Sequence, residues 1–257
     1  MSVVTRATVR GKGRVYTNSL TGEQYQSVTT ILGALDKPAL PRWASRSVAE
    51  YVVEHGLTPI QDMTREDAIK HLSGVPWAAR DKAADIGTAV HAAAEAHLRG
   101  EEHTFALPFS PGARHAMDNV TALLASLDDV EVTCLEGTVW NRSHGYAGAF
   151  DGVLRVGGET WLIDYKSSAG VYPETSLQLA GYRYGENIID IDTGELSPMP
   201  EVDRCMIFFV PKTGPWAIWE ATAGPDEFEV FLAAQRAKAW LQTSRSTVRR
   251  VTQGEPC

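Results

Sequence analysis

The stretch GAFDGVLRVGGETWLIDYK, residues 148–166, predicts two antiparallel strands joined by a tight turn. Gly157-Gly158 is a strong signal for a two-residue hairpin, because the central positions of such a turn favour a positive φ. With these glycines as the turn, Asp151 faces Asp164, and such side chains start about 5 Å apart on one face of the sheet. Lys166 projects from the same face as Asp164, since side chains alternate along a strand.

Two carboxylates placed face to face repel each other, so this pair needs something to compensate its charge. A divalent cation between Asp151 and Asp164 removes the repulsion, and oxygen ligands favour Mg²⁺ or Mn²⁺ over a closed zinc site. The apolar run 161–163 indicates a central strand, where paired acids without a ligand are costly. The alternative is an exposed polar face on which the aspartates simply pair with Lys166.

Outward from this hairpin, the chain divides into a helical first half and a second half that alternates strands with helices. Caps and apolar stripes predict helices from Ser27 to Leu35, through Trp43 to Gly56, from Thr64 to before Gly74, over 78–99, and from Ser110-Pro111. Patterns in the second half predict strands at 130–140, 146–156 and 160–167, a helix at 173–187, a hairpin at 204–210 and 215–222, and a helix from Pro225. We therefore expect an α+β fold, in which helices flank a small mixed sheet and the N-terminal extension is helical.

The chain has 257 residues, of which 44% are hydrophobic, and this is enough for a large buried core. No linker rich in Pro, Ser or Gly divides it, which predicts a single domain over residues 1–257. We expect a mainly helical part at 1–128, a sheet and helix core at 129–243, and a basic tail at 244–257.

Targeting signals and cysteine use favour a cytoplasmic protein that does not enter a membrane. No run of about 18 apolar residues occurs, and the N-terminus lacks the apolar segment of a secretory signal. Cys134, Cys205 and Cys257 are too few and too scattered for a disulfide framework or a Cys-x-x-Cys zinc site.

The formal net charge of −8 argues against a passive nucleic-acid coat protein, which would usually be basic. The charges are unevenly distributed, however. Residues 1–14 and 236–250 contain only basic charges, whereas residues 186–203 contain six acids and no base. Solvated termini and an acidic loop explain these runs most simply, but the basic runs would also suit the backbone of a nucleic acid strand.

Two further motifs carry groups compatible with a metal centre. Gly87 and His91 lie one turn apart on the predicted Ala-rich helix. Gly87 has no side chain and permits a close approach of the backbone, and His91 could present its imidazole to the same cation. Gln178 and Tyr182 are again one turn apart on the helix after the third strand. Each motif by itself is explained by a structural histidine or by a solvated helix face.

Together these motifs resemble those of the PD-(D/E)XK nuclease superfamily, specifically its RecB-type exonuclease branch, which includes phage RecB-like nucleases and mitochondrial genome maintenance exonucleases. In chain order they are Gly87-x-x-x-His91, Gly148-x-x-Asp151, Asp164-x-Lys166 and Gln178-x-x-x-Tyr182. The segment 27–32, with Leu40 to Trp43 after it, also resembles the helical lead-in of this branch. The resemblance covers about residues 25–243, and four motifs in order are more specific than any one alone.

The resemblance implies a restriction-endonuclease-like core and a role for each matching position. The ligands of Mg²⁺ or Mn²⁺ would be His91, Asp151, Asp164 and the carbonyl oxygen of Tyr165. Lys166 would position the attacking water, and Gln178 and Tyr182 would organise the site and the DNA strand. Glu136 is an auxiliary residue that could assist a second metal, and Glu131 is the competing choice. The iron–sulfur members of this branch need four cysteines, so we expect no iron–sulfur cluster.

The implied activity is metal-dependent hydrolysis of DNA phosphodiester bonds by an exonuclease, in recombination, repair or end-processing of phage or bacterial DNA. Its substrate would be single-stranded DNA or DNA with free ends, leaving 5′-phosphate and 3′-hydroxyl products. A helicase or recombination protein is an expected partner, since the chain has no phosphate-binding loop of a motor. The alternatives are a structure-specific or restriction-type endonuclease of the same superfamily and a non-catalytic DNA-binding subunit.

Overall fold

The computed structural model describes residues 2–101 and 110–243, which form an α+β fold with two mixed sheets and six α-helices. The strands are β1 (Val4–Val9), β2 (Gly13–Asn18), β3 (Gln24–Ser27), β4 (Val130–Leu135), β5 (Thr138–Asn141), β6 (Tyr146–Ala149), β7 (Gly152–Val156), β8 (Glu159–Lys166), β9 (Asn187–Ile189), β10 (Leu196–Pro198), β11 (Arg204–Phe209) and β12 (Ala217–Glu220). The helices are α1 (Val28–Leu32), α2 (Ala39–His55), α3 (Arg65–Arg99), α4 (Pro111–Ala125), α5 (Glu174–Arg183) and α6 (Pro225–Thr243), with a 3₁₀ turn at Thr58–Ile60.

The predicted hairpin of β7 and β8 lies at the centre of a five-stranded sheet of order β12-β11-β8-β7-β4. Its register is the predicted one, from Val156 opposite Glu159 to Gly152 opposite Ile163. Gly157 in the turn has a φ of 56°, as the turn type requires. β11 pairs with β8 in parallel, so β8 is a central strand, as its apolar sequence predicts.

Helices cover both faces of this sheet, because alternate side chains of its strands are apolar on both sides. On one face Val153, Leu162 and Ile207 pack in one buried cluster with residues of α1, α5 and α6. On the other face Ile163 and Phe208 pack with residues of α3 and α4. None of the helices within the described ranges is long and apolar enough to cross a membrane.

A second sheet, absent from our prediction, has seven strands in the order β1-β2-β3-β6-β5-β9-β10. Its small core contains Val4, Tyr16, Trp140, Ala147 and Ile189. The first three strands occupy residues 4–27, so the expectation of a helical N-terminal extension is wrong for this segment. These strands form because their residues pair in long antiparallel ladders and bury Val4 and Tyr16 on Trp140, a contact that no local pattern reveals.

The predicted strands at 130–140 and 146–156 are each broken in two and shared between the sheets. β4 and β7 pair in the five-stranded sheet as far as Leu135 opposite Gly152, and β5 and β6 resume in the seven-stranded sheet with Thr138 opposite Ala149. Two residues of each strand therefore lie between the sheets. The predicted helix at 173–187 likewise ends earlier, at Arg183, and is followed by β9.

The helix predicted to end before Gly74 instead continues through Gly74 and Pro76 as the 35-residue α3. A proline inside a helix costs about 3 kcal/mol, because it removes one backbone hydrogen bond and crowds the preceding turn. Burial of the later part of α3 opposes this cost, since Ile86, Val90 and Ala94 pack in one core cluster with residues of α4. The predicted basic tail at 244–257, including Cys257, lies outside the described residues.

Candidate metal centre

Glu136 and Asp151 lie opposite each other where the two long strands pass between the sheets. The register is the same on both sides of the break, so the intervening residues also face each other. The Glu136 amide donates a hydrogen bond to the Asp151 carbonyl oxygen (2.9 Å), and the Phe150 amide donates to the Gly137 carbonyl oxygen (2.8 Å). Glu136 has a φ of 51°, a conformation that costs a non-glycine residue about 1 kcal/mol and is frequent at functional sites.

His91 reaches the same position from α3. Ile86, Val90 and Ala94 anchor that part of α3 in the core and turn His91 towards the strand break. Its Nδ1 atom lies 3.1 Å from Asp151 Oδ1. The ligand atoms of His91, Glu136 and Asp151 all lie within 4.8 Å of one another, a spacing that a single divalent cation can bridge.

The second carboxylate oxygen of Asp151 is fixed by the backbone of β8. The Tyr165 amide donates a 2.6 Å hydrogen bond to Asp151 Oδ2, so the register of the hairpin orients this carboxylate. The Tyr165 ring is buried on the α3 face, with its centroid 5.7 Å from that of His91. Asp151 therefore connects the α3 layer to the central strand.

Electrostatics in this cluster favour the binding of a cation. Burial lowers the pKa of His91, but the hydrogen bond and negative charge of Asp151, with the charges of Asp164 and Glu136, outweigh it and raise the pKa to about 9. Partial burial and the charge of Asp151 raise the pKa of Glu136 above its usual range. In the absence of a cation, a proton on His91 thus compensates part of the negative charge.

Asp164 and Lys166 form an adjacent pair on the opposite, α5, face of β8. Lys166 Nζ lies 2.5 Å from Asp164 Oδ2, and the Asp164 side chain is almost completely buried. Burial raises the pKa of Asp164, although the charge of Lys166 acts in the opposite direction. Within the described residues, the Lys166 ammonium is the polar group that contacts Asp164 Oδ2.

Gln178 from α5 holds this pair in place. Its Nε2 donates to Asp164 Oδ1 (3.0 Å) and its Oε1 accepts from Lys166 Nζ (3.3 Å). Nε2 also donates to the hydroxyl of Tyr182 (3.2 Å), whose ring is buried in the core against Gly148. A Cβ at Gly148 would lie 2.8 Å from the Tyr182 ring, which explains the glycine of that motif.

The structure thus brings the four predicted motifs to one end of the central sheet, in an arrangement that differs in detail from the expected ligand set. Glu136, rather than Asp164, joins His91 and Asp151 in the group of ligand atoms. Glu131 lies near the start of β4, opposite Arg155 of β7, and is therefore outside this group. The role expected for the Tyr165 carbonyl oxygen stays a prediction.

One other predicted detail differs in a similar way. Tyr182 is 2% exposed, so it supports Gln178 from below and does not present itself to a DNA strand.

The sequence did contain a signal for Glu136. A four-residue turn at 142–145 fixes Asn141 opposite Tyr146, and counting back from that pair places Glu136 opposite Asp151.

No protein-family model matches the chain, and neither does any curated protein. The chemistry of the site is therefore argued from its own geometry. One imidazole nitrogen and carboxylate oxygens suit a divalent cation such as Mn²⁺ or Mg²⁺. The amine of Lys166 lies two residues beyond the adjacent acid, Asp164.

Proposed function

We propose that this protein is a metal-dependent nuclease of the PD-(D/E)XK superfamily that hydrolyses phosphodiester bonds of DNA, with exonuclease activity of the RecB type. The observation that carries the proposal is the meeting of two units at one end of the central sheet. One is the ligand group of His91, Glu136 and Asp151; the other is the Asp164–Lys166 pair held by Gln178.

The residues present fit a divalent cation. His91, Glu136 and Asp151 supply one nitrogen and two oxygens within 4.8 Å of one another, and the buried Asp164, paired with Lys166, adds negative charge near His91. A bound Mg²⁺ or Mn²⁺ supplies Lewis-acid chemistry, by polarising a phosphate oxygen and lowering the pKa of water. These residues would hold it, and His91 must lose its proton to do so.

The chain's own residues perform the other tasks. Lys166 is held beside Asp164 by Gln178, where its ammonium orients the attacking water and stabilises negative charge that develops on the phosphate. Water attacks phosphorus, the bond to the 3′ oxygen breaks, and that oxygen takes up a proton. The products then carry 5′-phosphate and 3′-hydroxyl ends.

The substrate and the cellular context belong to the same proposal. DNA with free ends, single-stranded or duplex, is the proposed substrate, in recombination, repair or end-processing in the cytoplasm of a bacterium or in phage infection. A helicase or recombination protein would supply that substrate. The competing functions are those of an endonuclease and of a non-catalytic DNA-binding subunit. The experiment below distinguishes each of them from an exonuclease.

The test is degradation of end-labelled linear single- and double-stranded DNA beside covalently closed circles, with Mg²⁺, with Mn²⁺ and with EDTA. Wild type is compared with Lys166→Ala and, as a matched control, Lys70→Ala, which removes an exposed lysine from α3. We expect metal-dependent loss of linear DNA in wild type and Lys70→Ala but not in Lys166→Ala, with circles intact. Cutting of circles would establish an endonuclease, and binding without cutting would establish a non-catalytic subunit.

A further inference from the structure

The described parts of the two basic runs, residues 2–14 and 236–243, meet on one surface. Gln242, near the end of α6, donates to the carbonyl oxygens of Gly11 and Lys12 in the β1–β2 turn, each at 3.4 Å. Lys238, one turn earlier in α6, has its Nζ 3.6 Å from the position that a Cβ on Gly33 would take. The last turns of α6 therefore pack beside the β1–β2 turn and the end of α1.

This packing gathers four cations, which we call the basic surface: Arg10, Lys12, Arg14 and Lys238. No acid occurs in residues 2–14 or 230–243. None of the four forms an ion pair with another residue in the two described ranges, whereas Arg46 and Arg99 on the helices each pair with an acid one turn away. The three cations at the turn are exposed to solvent.

The basic surface lies at the same end of the seven-stranded sheet as the metal centre. β2 runs antiparallel to β3, and β3 runs parallel to β6. The turn before β2 is therefore at the carboxyl end of β6, where the chain continues to Asp151. Tyr16 of β2 confirms this proximity, since its hydroxyl accepts a 3.1 Å hydrogen bond from the Ala149 amide.

Arg6 links the two regions. It lies opposite Tyr16 in the β1–β2 ladder. The Tyr16 hydroxyl accepts its hydrogen bond from the Ala149 amide, two residues before Asp151, so Arg6 lies opposite a residue that contacts the strand leading to the centre. Positive charge thus extends from the edge of the metal centre across β1 towards the β1–β2 turn and α6.

We infer that the basic surface binds the phosphate backbone of the DNA strand whose scissile bond lies at the metal centre. This inference rests on the proposed function. An acidic protein with an acidic centre repels DNA at long range, and a separate row of cations supplies the affinity that the centre lacks. Contacts to phosphates position the strand without reading its bases, so binding here is independent of sequence.

The test separates binding from chemistry. Binding of a long fluorescent single strand and of its duplex is measured in EDTA, where no cleavage occurs, over about 50 to 200 mM salt. The variants are Lys12→Glu and Lys12→Glu/Arg14→Glu. The matched control is Arg155→Glu, an exposed arginine near the turn that ends β7, away from Asp151. Metal-dependent hydrolysis of bis(p-nitrophenyl) phosphate, which is too small to reach the basic surface, is measured in parallel.

We expect the slope of log affinity against log salt to decrease by about 1 for each phosphate that a variant no longer binds. Arg155→Glu should bind as wild type, and all variants should hydrolyse the small phosphodiester equally. Equal DNA binding by the double variant and wild type, or no DNA binding by wild type, would overturn the inference. Failure to hydrolyse the small phosphodiester, with binding that still depends on the basic surface, would refute the proposed function alone.

Discussion

Replacing Gly137 by alanine tests the link between the strand break and the metal centre. A Cβ at this position would lie 2.2 Å from Cζ of Phe150 and within 2.8 Å of two further atoms of the ring. Real contacts are never this short, so the ring must move. Phe150 is 1% exposed and packed in the main core, which leaves it no free space to enter.

The expected cost is that of overpacking a buried site, about 1–3 kcal/mol of unfolding free energy. For a chain of this size, a loss of 2 kcal/mol lowers the thermal midpoint by about 4–8 °C. Because Phe150 precedes Asp151, its displacement also moves that carboxylate relative to Glu136. We therefore expect weaker Mn²⁺ binding in addition to lower stability.

Denaturant unfolding followed by circular dichroism gives the stability, and calorimetric titration with Mn²⁺ gives the affinity. The control is Gly74→Ala, since a Cβ there meets nothing within 4 Å and lies inside α3, where alanine is favoured by about 0.5–1 kcal/mol. Equal stability of Gly137→Ala and wild type would refute the steric argument. A destabilised variant with unchanged Mn²⁺ affinity would refute the coupling of the break to the centre.

Three further predictions concern the centre itself. The pKa of His91 is raised from 6.5 to about 9, so the protonated imidazole stabilises the metal-free protein fully below pH 6.5, and this stabilisation is lost as the pH rises through 9. The thermal midpoint of wild type should therefore fall between these pH values, and that of His91→Gln should change less. Gln178→Ala leaves the buried Asp164 without its hydrogen bond and should lower the unfolding free energy by about 1–3 kcal/mol, measured by denaturant titration; an unchanged midpoint would contradict the role assigned to Gln178. Mn²⁺ at about 100 times its dissociation constant should stabilise wild type by about 2.7 kcal/mol, and an equal gain in Asp151→Asn would show that the cation binds elsewhere.

Much of the local structure could be predicted from the sequence, because its signals act over a few residues. Ser27, Thr64 and Ser110 each cap a helix as expected, with a side-chain oxygen that accepts a backbone amide in the first turn. The glycine pair at 157–158 fixes the β7–β8 register. The structure departs from the prediction where tertiary contacts override a local signal, as at Pro76, since the later part of α3 is buried against α4.

Local signals in the sequence predict the α+β class, the central hairpin and the face that Asp164 shares with Lys166, since turn chemistry and the two-residue strand period act locally. The packing of distant elements is what brings Glu136 to His91 and Asp151 and sets the last turns of α6 beside the β1–β2 turn. These contacts join residues far apart in the chain. They depend on the position at which two strands pass from one sheet into the other, and on which helices pack against those strands. The local periodicity of the sequence contains no information on either.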